Sequence, residues 1–434
     1  MAHIRPFPAV RYAPRLSTEL SRLIAPPYDV IHDRDKSDFQ NQHPNNIVTI
    51  DLPHLPAKTV GPDSAYEQAN VTLQAWLRSG ILLKDHRPAF YPYMQTCAHG
   101  GRALRRHGFF ALVRLSPFAE GHVVPHEKTH KDAIEDRLKL TRATRMQLSP
   151  IFGLYSDPKN EVSSLLYHSL GRPAVSGTLL DVRHDLWAVS DAEIENKVID
   201  ILGTKPIYIA DGHHRYTTAL HYQQEVRAAS GGTLPENHPA NWCLFVLVSI
   251  QDPGLLILPT HRLIGGLKNF DVDILASAVS DAFDITAVPL GADRVAEFAH
   301  SVLPKLPPHT FGLFDGQARK LYQLHLKNPD VLKPLEPARS DAWRRLDVAI
   351  LQRYLLDEII RRVFAAGQEP TEDYTADPHE IAPQVDGNRY QIGLLLQSTP
   401  LMAIEDLGKK GEVMPHKSTY FFPKLATGMV LNPL

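Results

Sequence analysis

The chain has 434 residues, 43% of them hydrophobic and 22% charged, with a formal net charge of −2 at pH 7. It is too long for one ordinary core and too apolar for a disordered chain, so two or three globular domains are expected. The charge balance offers no overall basic field for nucleic acid, and no apolar run approaches the length of a membrane span. The two cysteines, Cys97 and Cys243, form no CxxC and predict neither a disulfide framework nor a cysteine metal site. A reducing, cytoplasmic setting is expected, and the opening MAHIRPFPAVRYAP shows no secretory apolar region. The 35 prolines predict many short, pinned connections, and the 22 histidines enrich the chain in the residue of proton transfer and metal ligation.

In chain order, IRPFPAVRY reads as extended, APPYDVI as a rigid turn, and NNIVTIDLP as a strand bounded by Asn and Pro. Over 64–79, Ala65, Ala69, Leu73, Trp76 and Leu77 recur at helical spacing and Gly80 closes the helix. AFYPYMQT and RHGFFALVRLSPF are predicted as antiparallel strands joined across Gly100-Gly101. HKDAIEDRLKLTRATRMQ reads as a charged helix and SPIFGLY as a short apolar strand. HDLWAVSD, a helix near 191–201 and a strand–helix pair over 207–229 come next. WCLFVLVSI is the clearest fully buried strand. Beyond QDPG the pattern is mixed, with helices expected at DVDILASAVSDAF and over 341–363. In the latter, Leu346, Ile350, Leu355 or Leu356, Ile359 and Val363 form an apolar stripe read as core. No solenoid repeat or low-complexity tract is present, and the expected divisions are 1–150, 151–252 and 253–434.

KPIYIADGHHRYTTALHY carries the most chemistry. Pro206 begins a strand, Asp211-Gly212 make a turn, and the helix after it carries Tyr216, Ala219, Leu220 and Tyr222 or Gln223 near one face. A helix start presents unpaired N–H groups and partial positive charge, which favour an anion, typically phosphate. Gly212 lets the backbone come close, Arg215 suits a bidentate clamp, and His213 or His214 can donate to the anion. Asp211 beside a phosphate makes sense as a Mg²⁺ ligand, a proton acceptor or a helix cap. The alternative is that Asp211 is only an N-cap and the histidines face water.

ADGHHRYTTAL resembles the strand–turn–helix motif of the ParB/sulfiredoxin superfamily, whose members carry a Gly-x-x-Arg box at a nucleotide-phosphate site. It is similar to the DGxHR box of the archaeal free serine kinases in that superfamily. Further pieces resemble a bacterial and archaeal family catalogued as domain of unknown function 1015. They are IRPFPAVRY, IAPPYDVI, HPNNIVTIDLP, VVPHEKTHKDAIEDRLKLTRAT, SPIFGLYSD, PIYIADGHHRYTTAL, LDVAILQRYLL and EVMPHKSTYFFPKLATGMV. The resemblance runs from residue 4 to residue 431 and implies an α+β (mixed α/β) fold class, a ParB/sulfiredoxin-like core with additional α+β segments. The kinase analogy rests on the shared box.

VVPHEKTHKDAIEDR contains His126-Glu127-Lys128-Thr129-His130, formally HExxH, which on a helix sets two histidines on one face for zinc. Pro125 places the motif at a turn or first helical turn, and the longer zinc pattern fails at Ala133 and Asp136. The family resemblance marks PHE-T as the shared core, with His130 incidental. Glu127 or His126 then becomes a candidate base or Mg²⁺ ligand, with Thr129, Lys131 and Arg137 near phosphates; a salt-bridged helix start is the alternative. In GEVMPHKSTYFFPK, Gly411 and Lys417-Ser418 stand at P-loop spacing, but His416 takes the second glycine position and Pro415 stiffens the loop. Lys417, Ser418, Thr419 and Lys424 still offer cations and hydroxyls to a phosphate or carboxylate, the alternative being a solvated loop. Tyr28 and Asp29 stand on a rigid turn where an acid can meet a substrate amine or a metal, or simply form a corner. HPNN, residues 43–46, can cap the strand expected after it. GxGxxG after a strand, GxSxG and sustained heptads are missing, which weighs against dinucleotide oxidoreductases, serine hydrolases and coiled coils.

The leading reading is a phosphoryl-transfer enzyme: a nucleotide-dependent small-molecule kinase, with a serine-like hydroxyl as acceptor by analogy, or a nucleotide hydrolase. Glu127, His126 and Asp211 are the expected catalytic residues, and Asp211 and Glu127 the expected Mg²⁺ ligands. Gly212, His213, His214, Arg215, Thr129, Lys417, Ser418 and Thr419 are the expected contacts to ATP, ADP or another nucleotide. The rivals are a nucleotide-gated ParB-like binding protein without catalysis and a metal-dependent hydrolase. A DNA-binding role is opposed by the charge and by the lack of a helix-turn-helix. The number of subunits stays open, as does whether 126–137, 211–215 and 416–424 share one pocket.

Overall fold

Trp242–Ser249, whose side chains are all buried, runs through the middle of the largest sheet, as a strand covered on both faces should. The computed structural model describes residues 2–127, 129–168 and 170–434. The chain divides into two units, Met1–Leu256 with the returning segment Pro423–Leu434, and Ile257–Phe422. Each mixes helices with strands, so the fold class is mixed α/β.

In the first unit the strands of the large sheet are β1 (Ile4–Arg5), β2 (Tyr91–His99), β3 (Arg102–Arg114), β4 (Val123–Val124), β5 (Ile151–Tyr155), β6 (Val175–Leu179), β7 (Val182–Leu186), β8 (Ile207–Asp211) and β9 (Trp242–Ser249). Among the described residues they lie in the order β4-β8-β5-β9-β3-β2-β7-β6, with β1 on β3. The β2–β3 hairpin turns at Gly100-Gly101, both at positive φ as a tight turn requires. β9 runs parallel to β5, and β8 parallel to β4. Segments 1–150 and 151–252 thus contribute strands to a single sheet. One face buries Phe109, Ile151, Ile207, Ile209, Phe245 and Leu247 in a common apolar cluster. Among the helices of this unit are α1 (Asp63–Arg78), α2 (Lys131–Thr144), α3 (Ala192–Leu202) and α4 (His213–Ala229). Tyr216 carries α4 into the core, its hydroxyl accepting from Ser116 N and donating to Ser116 O. The α2–α4 pair is pinned at its outer edge by Arg142 and Glu225 at 2.6 Å.

The second unit is built on an antiparallel sheet of β10 (His261–Gly265), β11 (Phe283–Val288), β12 (Thr310–Asp315), β13 (Lys320–Leu326), β14 (Thr371–Thr375) and β15 (Ile392–Leu395), in the order β11-β13-β12-β15-β10-β14. Phe298, Leu303, Phe314 and Leu395 are among its core residues.

Two expectations are corrected. NNIVTIDLP is not a strand: Val48–Asp51 is a short helix. Asn46 turns the chain by accepting from Val48 N at 2.9 Å and donating to Arg22 O and Ile24 O, so its side-chain bonds outcompete strand pairing. The helix expected over 341–363 is interrupted once, at Arg345–Leu346; after Asp341–Arg344 it runs without a gap from Asp347 to Phe364, with wide π turns over Ile350–Ile360. The wider turn brings Ile350, Leu355 and Ile360, five residues apart, to one buried face and leaves Val363 exposed. Among the described residues no helix is long and apolar enough to cross a membrane.

Candidate functional site

β8 ends in an irregularity that aims its last side chain. Ile209 pairs with Gly153 and Asp211 with Phe152, so Ala210 is an extra residue, and such bulges re-aim the side chains beside them. Gly212 then takes the left-handed conformation, φ 99°, and starts α4 without a side-chain cap. A Cβ at this position would stand 3.0 Å from Arg215 Nε, so both the backbone and the fold-back of Arg215 call for glycine. The first turn of α4 contains no acidic residue to offset its positive end.

Asp211 faces two cations. Its Oδ2 is 2.9 Å from Lys424 Nζ and its Oδ1 3.7 Å from Arg215 Nη2. Arg215 also donates through Nη1 to Pro150 O. Burial on its own would raise the Asp211 carboxyl, but Lys424 and then Arg215 hold it well below the usual carboxylate range. The three groups together leave a balance of one positive charge beside a helix N-terminus. Asp211 is therefore no N-cap by side chain, and its carboxylate is engaged by an ammonium.

The parallel pairing of β4 with β8 delivers the PHE-T segment to the same place. His126 Nδ1 donates to Ile209 O at 2.5 Å, and the His126 N–H is accepted by His213 Nε2 at 3.2 Å. The His130 N–H is accepted by His214 Nε2 at 3.0 Å. His126 Nε2 lies 3.8 Å from Glu127 Oε1. Because His213 and His214 accept at Nε2, their protons reside on Nδ1. Burial first, and then His126, pushes His213 well below the ordinary histidine value. Burial and the neighbouring His130 push His214 down to about 4, against the pull of Asp29. Both are neutral imidazoles near pH 7 that tie the loop to the helix. The alternative in which they face water fails for His213, which is 6% exposed.

The HExxH pattern lies before α2, which starts at Lys131, so its histidines do not share a helical face. Lys128 falls outside the described residues. Among the described residues no group of three or more His, Cys, Asp or Glu side chains is arranged to hold a metal. Thr129 and Glu127 are half-buried in the loop.

A narrow cleft of about 50 Å³ opens beside Arg215 and is lined also by Tyr28, Asp51, Arg137, Ser149 and Cys243. Arg137, read from sequence as close to phosphate, is engaged inside the protein. It donates to Asp136 Oδ2 at 2.8 Å and to Asp51 O at 2.6 Å, and stacks 4.0 Å over the Tyr28 ring. Tyr28 is thus a buried platform, and Ser149 Oγ donates to Asp51 Oδ1 at 2.8 Å. Of the C-terminal residues, Lys424 belongs to the first unit, whereas Lys417, Ser418 and Thr419 belong to the second. There Lys417 adopts φ 56° and its carbonyl accepts from Arg262 at 3.1 Å. Ser418, 1% exposed, donates to Pro415 O at 2.5 Å. Sequence reading passed over Gln95, Arg106 and His184, which are buried in β2, β3 and β7; Arg106 and His184 stand among other polar residues of their strands, and nothing in the pattern singled them out.

Solved structures with some likeness include free serine kinase as a point mutant in complex with AMP (10% identity, 72% of this chain and 86% of that chain, TM-score 0.36). A free serine kinase mutant in complex with ADP gives 11%, 72%, 87% and 0.36 for the same quantities. A conserved hypothetical protein from Pyrococcus furiosus gives 13%, 73%, 92% and 0.32. No curated protein matches the chain. A family model described as "Protein of unknown function (DUF1015)" matches residues 4–349. The chain belongs to that family.

Proposed function

We propose that the protein is a nucleotide-dependent phosphotransferase whose phosphate site is the start of α4. The carrying observation is the meeting at Gly212 of an uncapped helix N-terminus with the Arg215 and Lys424 cations, which gather on one carboxylate. Such a place favours a phosphate oxyanion. The DGHHR box, with its resemblance to nucleotide-phosphate boxes, supports the same reading.

In this reading the Gly212–His214 backbone and Arg215 take phosphate oxygens, while His213 and His214 offer neutral Nδ1–H donors. An acceptor hydroxyl, serine-like by analogy, attacks phosphorus as the bond to the leaving phosphate oxygen breaks, and Glu127 or His126 Nε2 takes the hydroxyl proton. Mg²⁺ commonly needs only one or two carboxylates beside substrate phosphates. Glu127 suits that role, whereas Asp211 has to exchange Lys424 for the metal; bound Mg²⁺ supplies charge neutralisation on the transferred group. Thr129 is a proposed nucleotide contact from the loop, and Lys417, Ser418 and Thr419, which belong to the second unit, are left out of this reading. The engaged state of Asp211 favours one rival, a binding protein that senses nucleotide without turnover.

The test is thermal unfolding with ATP, ADP, CTP and GTP, with and without Mg²⁺, followed by phosphorus NMR of any stabilising nucleotide with and without serine. Stabilisation with phosphate transfer or release is expected. Stabilisation without either supports the binding protein, and no stabilisation by any nucleotide removes both readings.

A further inference from the structure

One row of the first unit's sheet is polar where apolar residues are the rule. Strand register places His184 of β7 beside Gln95 of β2, and Gln95 beside Arg106 of β3. All three are buried, Arg106 at 2% exposure and the others at 1%. No carboxylate among the described residues pairs with Arg106; its guanidinium lies 4.6 Å over the Phe152 ring, and its Nη1 has no hydrogen-bond partner. Burying an unneutralised guanidinium is costly, and an apolar residue would fill the space without that cost.

What the cation holds is one stretch of backbone. Arg106 Nη2 donates to Pro423 O at 2.6 Å and to Gln95 Oε1, and Gln95 Nε2 donates to Lys424 O at 2.8 Å. Two residues on, the Ala426 N–H is accepted by the Tyr93 hydroxyl at 3.3 Å, and that hydroxyl donates to His184 Nδ1. The clamped peptide is the base of the Lys424 side chain, whose ammonium meets Asp211. A lysine stem is flexible, so the place of its ammonium depends on how firmly its backbone is held. Charge-assisted bonds to carbonyls hold more firmly than neutral ones.

We infer that Arg106 and Gln95 are positioning residues: by fixing the Pro423–Lys424 peptide they set the Lys424 ammonium against Asp211. The inference rests on Lys424 serving the phosphate site proposed above, but its test needs no ligand. The full-length protein is acylated with an N-hydroxysuccinimide acetate at about pH 8, and each lysine's rate is read by peptide mass spectrometry. Only the free amine reacts, and a buried partner carboxylate makes the proton of an ion-paired ammonium harder to lose, which slows it. In the wild type, Lys424 should react about tenfold more slowly than Lys84 and Lys320, which are exposed. Arg106→Met and Gln95→Leu should raise the Lys424 rate to near that exposed level, leaving Lys139 on α2 unchanged. Arg106→Lys, which keeps a cationic donor, should restore most of the protection. Continued protection of Lys424 in both variants overturns the inference. So does a uniform rise that includes Lys139, since that is the mark of general destabilisation. A wild type that binds no nucleotide would remove the proposed function and leave this result standing.

Discussion

The Asp211–Arg215 junction and the Pro415–Thr419 loop use similar residues, and they spend their polar groups differently. At the junction the left-handed position is filled by Gly212, the helix after it has no side-chain cap, and its first turn lacks an acid. In the loop the left-handed position falls on Lys417, the carbonyls of Lys417 and Ser418 accept from Arg262 and Thr399, and the Ser418 hydroxyl turns back to Pro415 O. Lysine, serine and threonine at P-loop-like spacing describe what a phosphate needs. Whether the fold leaves those groups unspent is a separate matter, settled by backbone geometry and not by composition.

Acidification should give the largest contrast between the two units. His184 in the first and His261 in the second are each held down to about 3, by burial first and then by Arg106 and Arg262 respectively. Between those values and 6.5 the unfolded chain binds the extra proton, so stability is intact above about pH 6.5 and is lost as pH falls. Each costs about 2 kcal/mol by about pH 5. His213 and His214, lowered as well, add to the loss in the first unit only. Hydrogen exchange at about pH 5 should show the first unit opening before the second; the reverse order contradicts these assignments.

Lys424→Met should destabilise by about 3 kcal/mol at neutral pH, since it strips a mostly buried carboxylate of its nearest cation. Because the Asp211 carboxyl is depressed in the folded state, that stabilisation exists above the unfolded carboxyl value and disappears in acid, so the variant and wild type should converge there. Lys417→Met in the loop should cost no more than about 0.5 kcal/mol. Chemical unfolding of the two variants measures the difference directly. Gly212→Ala should cost about 2 kcal/mol, from the positive φ and the contact with Arg215, whereas Lys417→Gly should stabilise by about 0.5 kcal/mol by relieving the same kind of backbone. Ser418→Ala should cost about 1 kcal/mol or less, for the one internal hydrogen bond its hydroxyl makes to Pro415 O.

Much of this could be read before folding. The strand, turn and helix over 207–229, the β2–β3 hairpin, the helices at 63–78 and 131–144 and the central strand at 242–249 all follow from periodicity and turn residues. What failed depended on long-range partners. Asn46 makes a helical turn out of a strand-like run because Arg22 O and Ile24 O lie within reach of its amide. The stripe at 350–360 is buried on a π period that no α pattern anticipates. At the site, DGHHR and PHE-T were visible as chemistry, but their joining through His126–His213 and His130–His214 depends on β4 lying beside β8. Arg106 was illegible because a charged residue in a strand normally faces water, and only the register with Gln95 and the returning Pro423–Lys424 segment gives it an inward role.

The claim that the start of α4 receives a phosphate oxyanion is tested most directly by calorimetric titration of the wild type and Arg215→Ala with ADP and with adenosine. The account predicts that ADP binds the wild type well over tenfold more tightly than adenosine, and that Arg215→Ala, assayed below its melting temperature, erases this preference. Equal affinity for the two ligands in the wild type, or an undiminished ADP preference in the variant, would contradict it.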